Sequence, residues 1–592
     1  MGNPHRLLSV PLYLAVAATL CSASALAAAP GHTTKHGVDV DIRSAGRQVA
    51  DEVAEFGNAA PQDAVSPIPG QSVASQVKLK GSNVQANNAA LDNIQTYSFT
   101  RPFIKYTQSE TSIAASGRNI VATYNNSADQ PLVQTGPTSL AFVHRFLSGY
   151  SVSNDGGATW ASGSMPPIAG SIFTFGDPSV GVDRKGNFYF ATLGANAAGL
   201  STIQVNKSVN GGRSWSDAAV VQQDNGGDKE WLAVGPDPAA MNRDNVYVTW
   251  TSFQASGAQL RFGRTTDGGA TWQAKTIFAP PPNANPDFPQ NSLQFSNPAV
   301  DRITGVLYVP FARFSNGDQD FLQIMVSKDA GETFSFLNFN VPGAPDPTLL
   351  PLVQPGRLID CGTSGGFRLA IHAGTQSTGR FGQPTFVQAS RLTVQPAFAA
   401  RNGVLYLAWS QSTSTFFGDP TSNTNVMFMR SDDGGATWSA PVQVNPTVVG
   451  NTQHVLPALS IDSDPNDVHV AYYTQHADGT VDVDMANSHD RGVTFPAKRA
   501  IRVSSQTTAL APTNIPLSAP SGGTFNTTNY DRLIRPCYNL GEYLSVDSAN
   551  GTVHALWGDS RNSVTHPVSG FDPLSGQTHP QQDVFYQAVK AQ

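Results

Sequence analysis

Charge is scarce in this chain. Only 13% of its 592 residues are Asp, Glu, Lys or Arg, the net charge is −7, and no Lys/Arg-rich run occurs. That balance argues against a nucleic acid partner, which needs a basic surface. Cysteine is rarer still, with three residues. Three are too few for a disulfide framework, and no zinc-type cysteine pairs are present. No His-Glu-x-x-His spacing and no phosphate-binding glycine loop occur either. The one long apolar run, Leu7–Leu20, is short for a membrane span. It follows His5-Arg6 and precedes Ala25-Leu26-Ala27, so residues 1–27 read as a signal peptide. The mature chain is then expected to be secreted, periplasmic or at the cell surface, with no transmembrane segment.

Glycine and proline, by contrast, are abundant, at 53 and 41 residues. They suit many strands and turns, not a helical protein. One eight-residue pattern, Ser/Thr-x-Asp-x-Gly-x-Thr-Trp, recurs six times. Its copies are Ser153–Trp160, Ser208–Trp215, Thr265–Trp272, Ser327–Phe334, Ser431–Trp438 and Ser488–Phe495. Asn210 replaces the Asp in the second, and Phe replaces Trp in two. An Asp here can accept hydrogen bonds from backbone N–H groups just ahead of it, and Gly supplies positive φ. The octet is therefore a hairpin turn whose last aromatic enters the next strand. Its role is structural.

Before each octet lie two short strands, as in Trp231-Leu-Ala-Val234 with Val246-Tyr-Val-Thr-Trp250 and Pro396-Ala-Phe398 with Val404-Leu-Tyr-Leu-Ala-Trp409. Most copies stand about 55–60 residues apart, the period of a radial array of small sheets. The expected fold is all-β: a β-propeller of four-stranded antiparallel blades. Counted by the longer unit there are seven blades, with six the alternative. The last unit, from Tyr543 to Tyr586, has no octet and no outer strand after it. An early strand within 77–106 is expected to pair with it, because an open edge invites aggregation.

Residues 28–95 are poor in aromatics and read as a pro-segment or linker, with one helix near Arg43–Phe56. The propeller occupies 96–592, with an insertion near 342–391 where the octet spacing stretches. Signal cleavage leaves Cys361 and Cys537, which either pair in an oxidising compartment or remain buried thiols.

The octet resembles the Asp-box, or bacterial neuraminidase repeat, of the sialidase superfamily, and the likeness covers roughly residues 100–590. Asn539-Leu-Gly-Glu-Tyr543 followed by Trp557-x-Asp559-x-Arg561 is similar to the closing unit of exo-α-sialidase-like proteins. The resemblance implies a propeller that engages extracellular glycans or glycoproteins, as an exo-glycosidase or as a non-catalytic scaffold. In sialidases an arginine triad clamps the substrate carboxylate, and arginine's planar fork suits that task. The first arginine sits in Phe/Tyr-Arg-Ile-Pro. Here Phe99-Thr-Arg101-Pro102 lacks the Ile, which leaves the choice between enzyme and scaffold open.

Strand alternation puts the starts of the first strands on the face opposite the octets, nearest the axis. Those starts supply Glu110, Asp177, Asp228-Lys229-Glu230 and Glu542. Glu110, Asp177 and Glu230 are the candidate proton donors of a glycosidase. Arg101, Arg313, Arg532, Arg535, Glu542, Asp559 and Arg561 are the candidate ligand-binding residues. No cofactor is required, although the same acids could hold calcium. Gly362-x-Ser364-x-Gly366 matches the nucleophile-elbow pattern but lacks the strand–turn–helix setting that the pattern needs.

Overall fold

The computed structural model describes residues 83–95, 108–354, 395–509 and 542–590 apart from short gaps within them, together with short strand pieces before and between these ranges. The signal-like terminus, the 43–56 segment, Cys361, Cys537, the 362–366 motif, Arg101, Arg532 and Arg535 lie outside the described residues. So does most of the 342–391 insertion. Its strand Leu350–Val353 is described and pairs with Gln319–Ser327.

The described chain is all-β, as expected. Its only helical pieces among the described residues are two single 3-10 turns, Ala89–Leu91 and Ala497–Arg499. The repeated unit is a four-stranded antiparallel sheet. The third is the simplest: Gly227–Asp237, Ala240–Gln254, Gly257–Thr265 and Gln273–Phe278 pair in chain order. Residues 245–252 of its second strand are buried throughout, and Tyr247 and Trp250 are fully so. Trp409 and Trp557 take the corresponding place in the fifth and seventh units and are equally buried. Each such ring adds about 1.5–3 kcal/mol of hydrophobic stabilisation.

The octets form the expected turns. In the first, the Asp155 Oδ1 atom accepts from Ala158 N at 3.0 Å and Thr159 N at 2.9 Å, while Oδ2 accepts from the Thr159 hydroxyl at 2.6 Å. Asp267, Asp329, Asp433 and Asp490 repeat this pattern. Each turn also leans on the preceding unit. A Cβ on Gly331, whose φ is +85°, would stand 2.3 Å from the Phe262 ring. The octet aromatic follows the glycine: Phe334 packs edge-on to Phe262, and Phe495 packs edge-on to Phe428. The first octet leans on the chain's far end, with Trp160 edge-on to Tyr586 at 5.0 Å.

That far end is where the early strand was expected. Val84–Gln85 pairs antiparallel with Thr578–Lys590, Val84 opposite Tyr586 and Gln85 opposite Phe585. Asn87 extends the seam: its Nδ2 donates to Asp583 Oδ1 at 2.7 Å, and its Oδ1 accepts from Val584 N at 2.8 Å.

The innermost strands touch in chain order. Gln108–Ser116 packs on Phe173–Val182, then Gly227–Asp237, Ala299–Val300, Ala397–Arg401, Gln453–Ile461 and Ser545–Ala549 follow, and the last packs on the first. Side chains stitch successive neighbours together. Ser112 Oγ accepts from Val180 N, and Ser179 Oγ accepts from Leu232 N. Thr249 bonds Ser296, Asn297 donates to Pro396 O, and Ser410 Oγ accepts from Leu456 N. Tyr473 bonds Gly558, and Thr111 donates to Leu556 O.

Candidate functional site at the strand starts

The backbone itself marks this site. Glu110, Asp177, Lys229, Phe295 and Leu456 all have φ between +51° and +61°. Such values are uncommon for residues other than glycine and are tolerated where surrounding structure enforces them. Four of them stand two residues before the innermost strand resumes its pairing, Ser112 with Thr123, Ser179 with Ala191, Trp231 with Thr249 and Ala458 with Ala471, and two residues after Phe295 the Asn297 N–H donates to Pro310 O. Each is a bulge that re-aims a side chain. In three successive units the side chain so placed is charged.

Those three meet. The Lys229 ammonium donates to Glu110 Oε2 at 3.0 Å and to Asp177 Oδ1 at 3.1 Å, and it also contacts the Glu542 carboxylate. All four groups are almost wholly buried. Asn125 fixes the arrangement: its Nδ2 donates to Glu110 Oε2, and its Oδ1 accepts from Asp177 N at 2.7 Å. The Tyr543 ring lies 5.8 Å from the ammonium and stands edge-on to Trp231.

Negative charge exceeds positive here. Burial alone would lower the Lys229 pKa, but Asp177, Glu110 and Glu542 overcome it and raise it well above the usual lysine range, so Lys229 stays charged. Glu230 is the opposite case. Burial, then Asp177, raises its carboxyl well above the usual range. Neither of its carboxyl oxygens meets a partner outside its own residue among the described residues. Glu230 is therefore the acid of the cluster whose ionisation burial opposes most clearly, beside carboxylates that share an ammonium. Burial also raises Asp177, against the pull of Lys229. The Tyr543 phenol is pushed up by burial and by Glu110, Asp177, Glu230 and Glu542 together.

The sequence reading thus placed Glu110, Asp177, Glu230 and Glu542 in one site, and the structure brings them together. It assigned no role to Lys229, which stands at the centre. A calcium ion at these acids would compete with that ammonium. Among the described residues no three His, Cys, Asp or Glu side chains form a metal-holding group.

Arg313, Asp559 and Arg561 are engaged elsewhere. Arg313 lies 5.0 Å from the Phe278 ring and donates to Gln323 Oε1 and Gln290 O. Burial lowers its pKa to about 10. Arg561 stacks 3.9 Å from Phe585, pairs with Asp559, and donates to Asn83 Oδ1 and Ser505 Oγ. It fastens the early strand to two other units. The acids sit at one end of the innermost strands, and the octets sit at the other. Gly156 N in the first octet donates to Arg118 O, in the turn after Gln108–Ser116.

No protein-family model matches this chain, and no curated protein sequence does. Several solved structures are similar at low level. A protein of unknown function from Dyadobacter fermentans has 14% identity and a TM-score of 0.34, over 70% of this chain and 94% of that one. Trypanosoma rangeli sialidase has 13% identity and a TM-score of 0.34, over 87% of this chain and 60% of that one. Penicillium chrysogenum α-L-arabinanase has 12% identity and a TM-score of 0.31, over 61% and 92%. Likeness at these values decides neither fold nor activity.

Proposed function

We propose that this chain is a seven-bladed β-propeller of the sialidase-like kind. In this reading it is exported by its signal-like terminus and acts on extracellular glycans as an exo-glycosidase. The cyclic order of the innermost strands and the pairing of Val84–Gln85 with the final strand support seven blades. One arrangement supports the chemistry: Glu230, whose carboxyl burial pushes well above the usual range, sits in the same cluster as carboxylates that contact the Lys229 ammonium. A glycosidase needs that division, one carboxyl to donate a proton to the leaving oxygen and one carboxylate to stabilise or attack the sugar. Glu230 is the acid in this reading, and Asp177 or Glu110 the carboxylate. The Tyr543 and Trp231 rings offer planes for a sugar face. Arg101, Arg532 and Arg535 remain the candidates to bind an anionic sugar.

A second reading, a non-catalytic glycan- or protein-binding scaffold, is favoured by burial. Glu230 is 1% and Glu110 2% exposed, and Lys229 already occupies the acids. In that case the cluster is a fastening of the hub.

A fluorogenic sialoside and a panel of neutral aryl glycosides, with and without calcium, separate the two. Turnover that falls at least 100-fold in Glu230→Gln supports the enzyme. No turnover on any substrate, with retention on a glycan array, supports the scaffold. Turnover that survives Glu230→Gln removes Glu230 from the chemistry.

A further inference from the structure

The innermost strands also enclose a cavity at their other end, on the octet side. Its volume is 440 Å³, within the range of small-molecule sites. The six residue steps from Glu110 to Ser116 put this end about 20 Å from the acid cluster. All seven units contribute to its wall, which is apolar around the middle, with Ile113, Val180, Leu232, Phe398, Leu459 and Val546.

The rim is polar, and its cations have no hydrogen-bonded partner. Several other arginines are ion-paired: Arg184 with Asp244, Arg264 with Glu332 and Arg502 with Asp482. Arg302 and Arg401 both line the cavity. Among the described residues neither guanidinium has a hydrogen-bond or close ion-pair partner, and Arg302 acts on the Asp547 carboxylate only at longer range. Two guanidiniums without hydrogen-bonded partners thus share one opening. Guanidinium is the side chain best shaped to bind a carboxylate through two parallel bonds.

Acceptors share the same opening. Asp547 lines the cavity, its Oδ2 fixed by Ala115 N at 2.8 Å, and Asp462 stands in the wall beside it. Ser460 and Ser548 hydroxyls bond each other across two units at 2.6 Å. A bare anion would gain the arginines and meet the carboxylates. A ligand that carries hydroxyl donors next to its anion satisfies both.

We propose that this cavity is a binding site for a small hydroxylated carboxylic acid. Its carboxylate pairs with Arg302 and Arg401, and its hydroxyls donate to Asp547 and the Ser460–Ser548 pair. The site is separate from the acid cluster and does not depend on the glycosidase reading.

Isothermal titration of the full chain with D-glucuronate, D-glucose and inorganic sulfate tests it. Glucuronate should bind, glucose should bind at least tenfold more weakly, and sulfate should also be weaker. In Arg302→Ala/Arg401→Ala glucuronate affinity should drop at least tenfold. Asp547→Asn should weaken glucuronate while leaving sulfate unchanged or tighter. Circular dichroism and thermal melting of each variant establish that it is folded. Glucuronate binding that survives the double substitution, equal binding of glucose, or sulfate binding as tight as glucuronate would each overturn the proposal. None of these outcomes bears on Glu230.

Discussion

The Lys229 ammonium sits 3.0 Å from the Glu110 carboxylate, though 119 residues separate them in the chain. Two bulges in different sheets, each with φ above +50°, bring these side chains to one point. A third does the same for Asp177. The pairing is a property of the assembled hub, and no single sheet holds it.

Lys229→Met tests how much the hub depends on this cation. The change keeps the volume and removes the charge, leaving Glu110, Asp177 and Glu542 buried with no ammonium between them. Breaking a buried pair in this way costs about 3–5 kcal/mol. Urea unfolding followed by tryptophan fluorescence should show that loss. An unchanged midpoint would mean that the acids are protonated already in the native chain.

Glu230 gives a pH signature. Its folded pKa is raised by burial and then by Asp177, so the folded state holds a proton that the unfolded state releases. Its contribution to stability is full below the ordinary carboxyl range and is lost as pH rises through the raised value. Glu230→Gln cannot ionise and should escape that loss. The melting temperature of the variant relative to the native chain should therefore climb as pH goes from 5 to 9. A difference that stays flat with pH would show that Glu230 is ionised.

The octet aspartates work in the opposite direction. Hydrogen bonds from the Thr271 hydroxyl, then Thr265, lower the Asp267 pKa to about 2, and Thr437 does the same for Asp433. These depressed groups add stability above the ordinary carboxyl range and lose it as pH falls toward 2. Carbon-detected NMR titration of the carboxyl groups should find both midpoints well below those of the chain's exposed, unbonded aspartates. Midpoints near 3.8 would contradict the turn geometry.

Two glycines separate backbone strain from packing. Gly434, with φ +72°, has open space where a Cβ would be, whereas a Cβ on Gly331 would meet Phe262 at 2.3 Å. Gly434→Ala should cost about 1–2 kcal/mol, the left-handed backbone penalty alone. Gly331→Ala should cost roughly 3–4 kcal/mol, since overpacking is added. Equal losses in denaturant melts would show that the turn does not press on its neighbour.

The seam between the chain's two ends predicts one further loss. Asn87→Ala strips Asp583 of one donor and leaves Val584 N without its acceptor. Unsatisfied buried groups of this kind cost about 1–3 kcal/mol each. Size-exclusion chromatography should show more self-association than in the native chain, because the final strand becomes a freer edge. A monomeric variant of native stability would mean that the seam holds without Asn87.

Much of this was legible in the sequence because it repeats. The Asp–Gly–Thr spacing fixes a local turn, and the turn geometry needs no partner from elsewhere. The bare final unit, lacking its outer strand, pointed to an early strand, and Val84–Gln85 fills that place. The starts of the first strands gave the acids of the site for the same reason. Lys229 was not legible as the centre. One lysine among acids has no local signature, and its role comes from two sheets that reach it through space. Arg313 and Arg561 were grouped with the acids because they fall on the same strand ends. Their partners, Phe278 and Gln323 for one and Phe585 and Asn83 for the other, are set by tertiary packing that spacing does not encode.

The left-handed corner found before five of the innermost strands carries Glu110, Asp177 and Lys229 in three units, but Phe295 and Leu456 in two others. The backbone accepts acid, base and hydrocarbon alike at that corner. Chemistry at the hub can therefore be exchanged one side chain at a time without redrawing the frame. A chain of this design can gain or lose a reaction through substitutions at a handful of equivalent corners, while the turns that hold it upright stay the same.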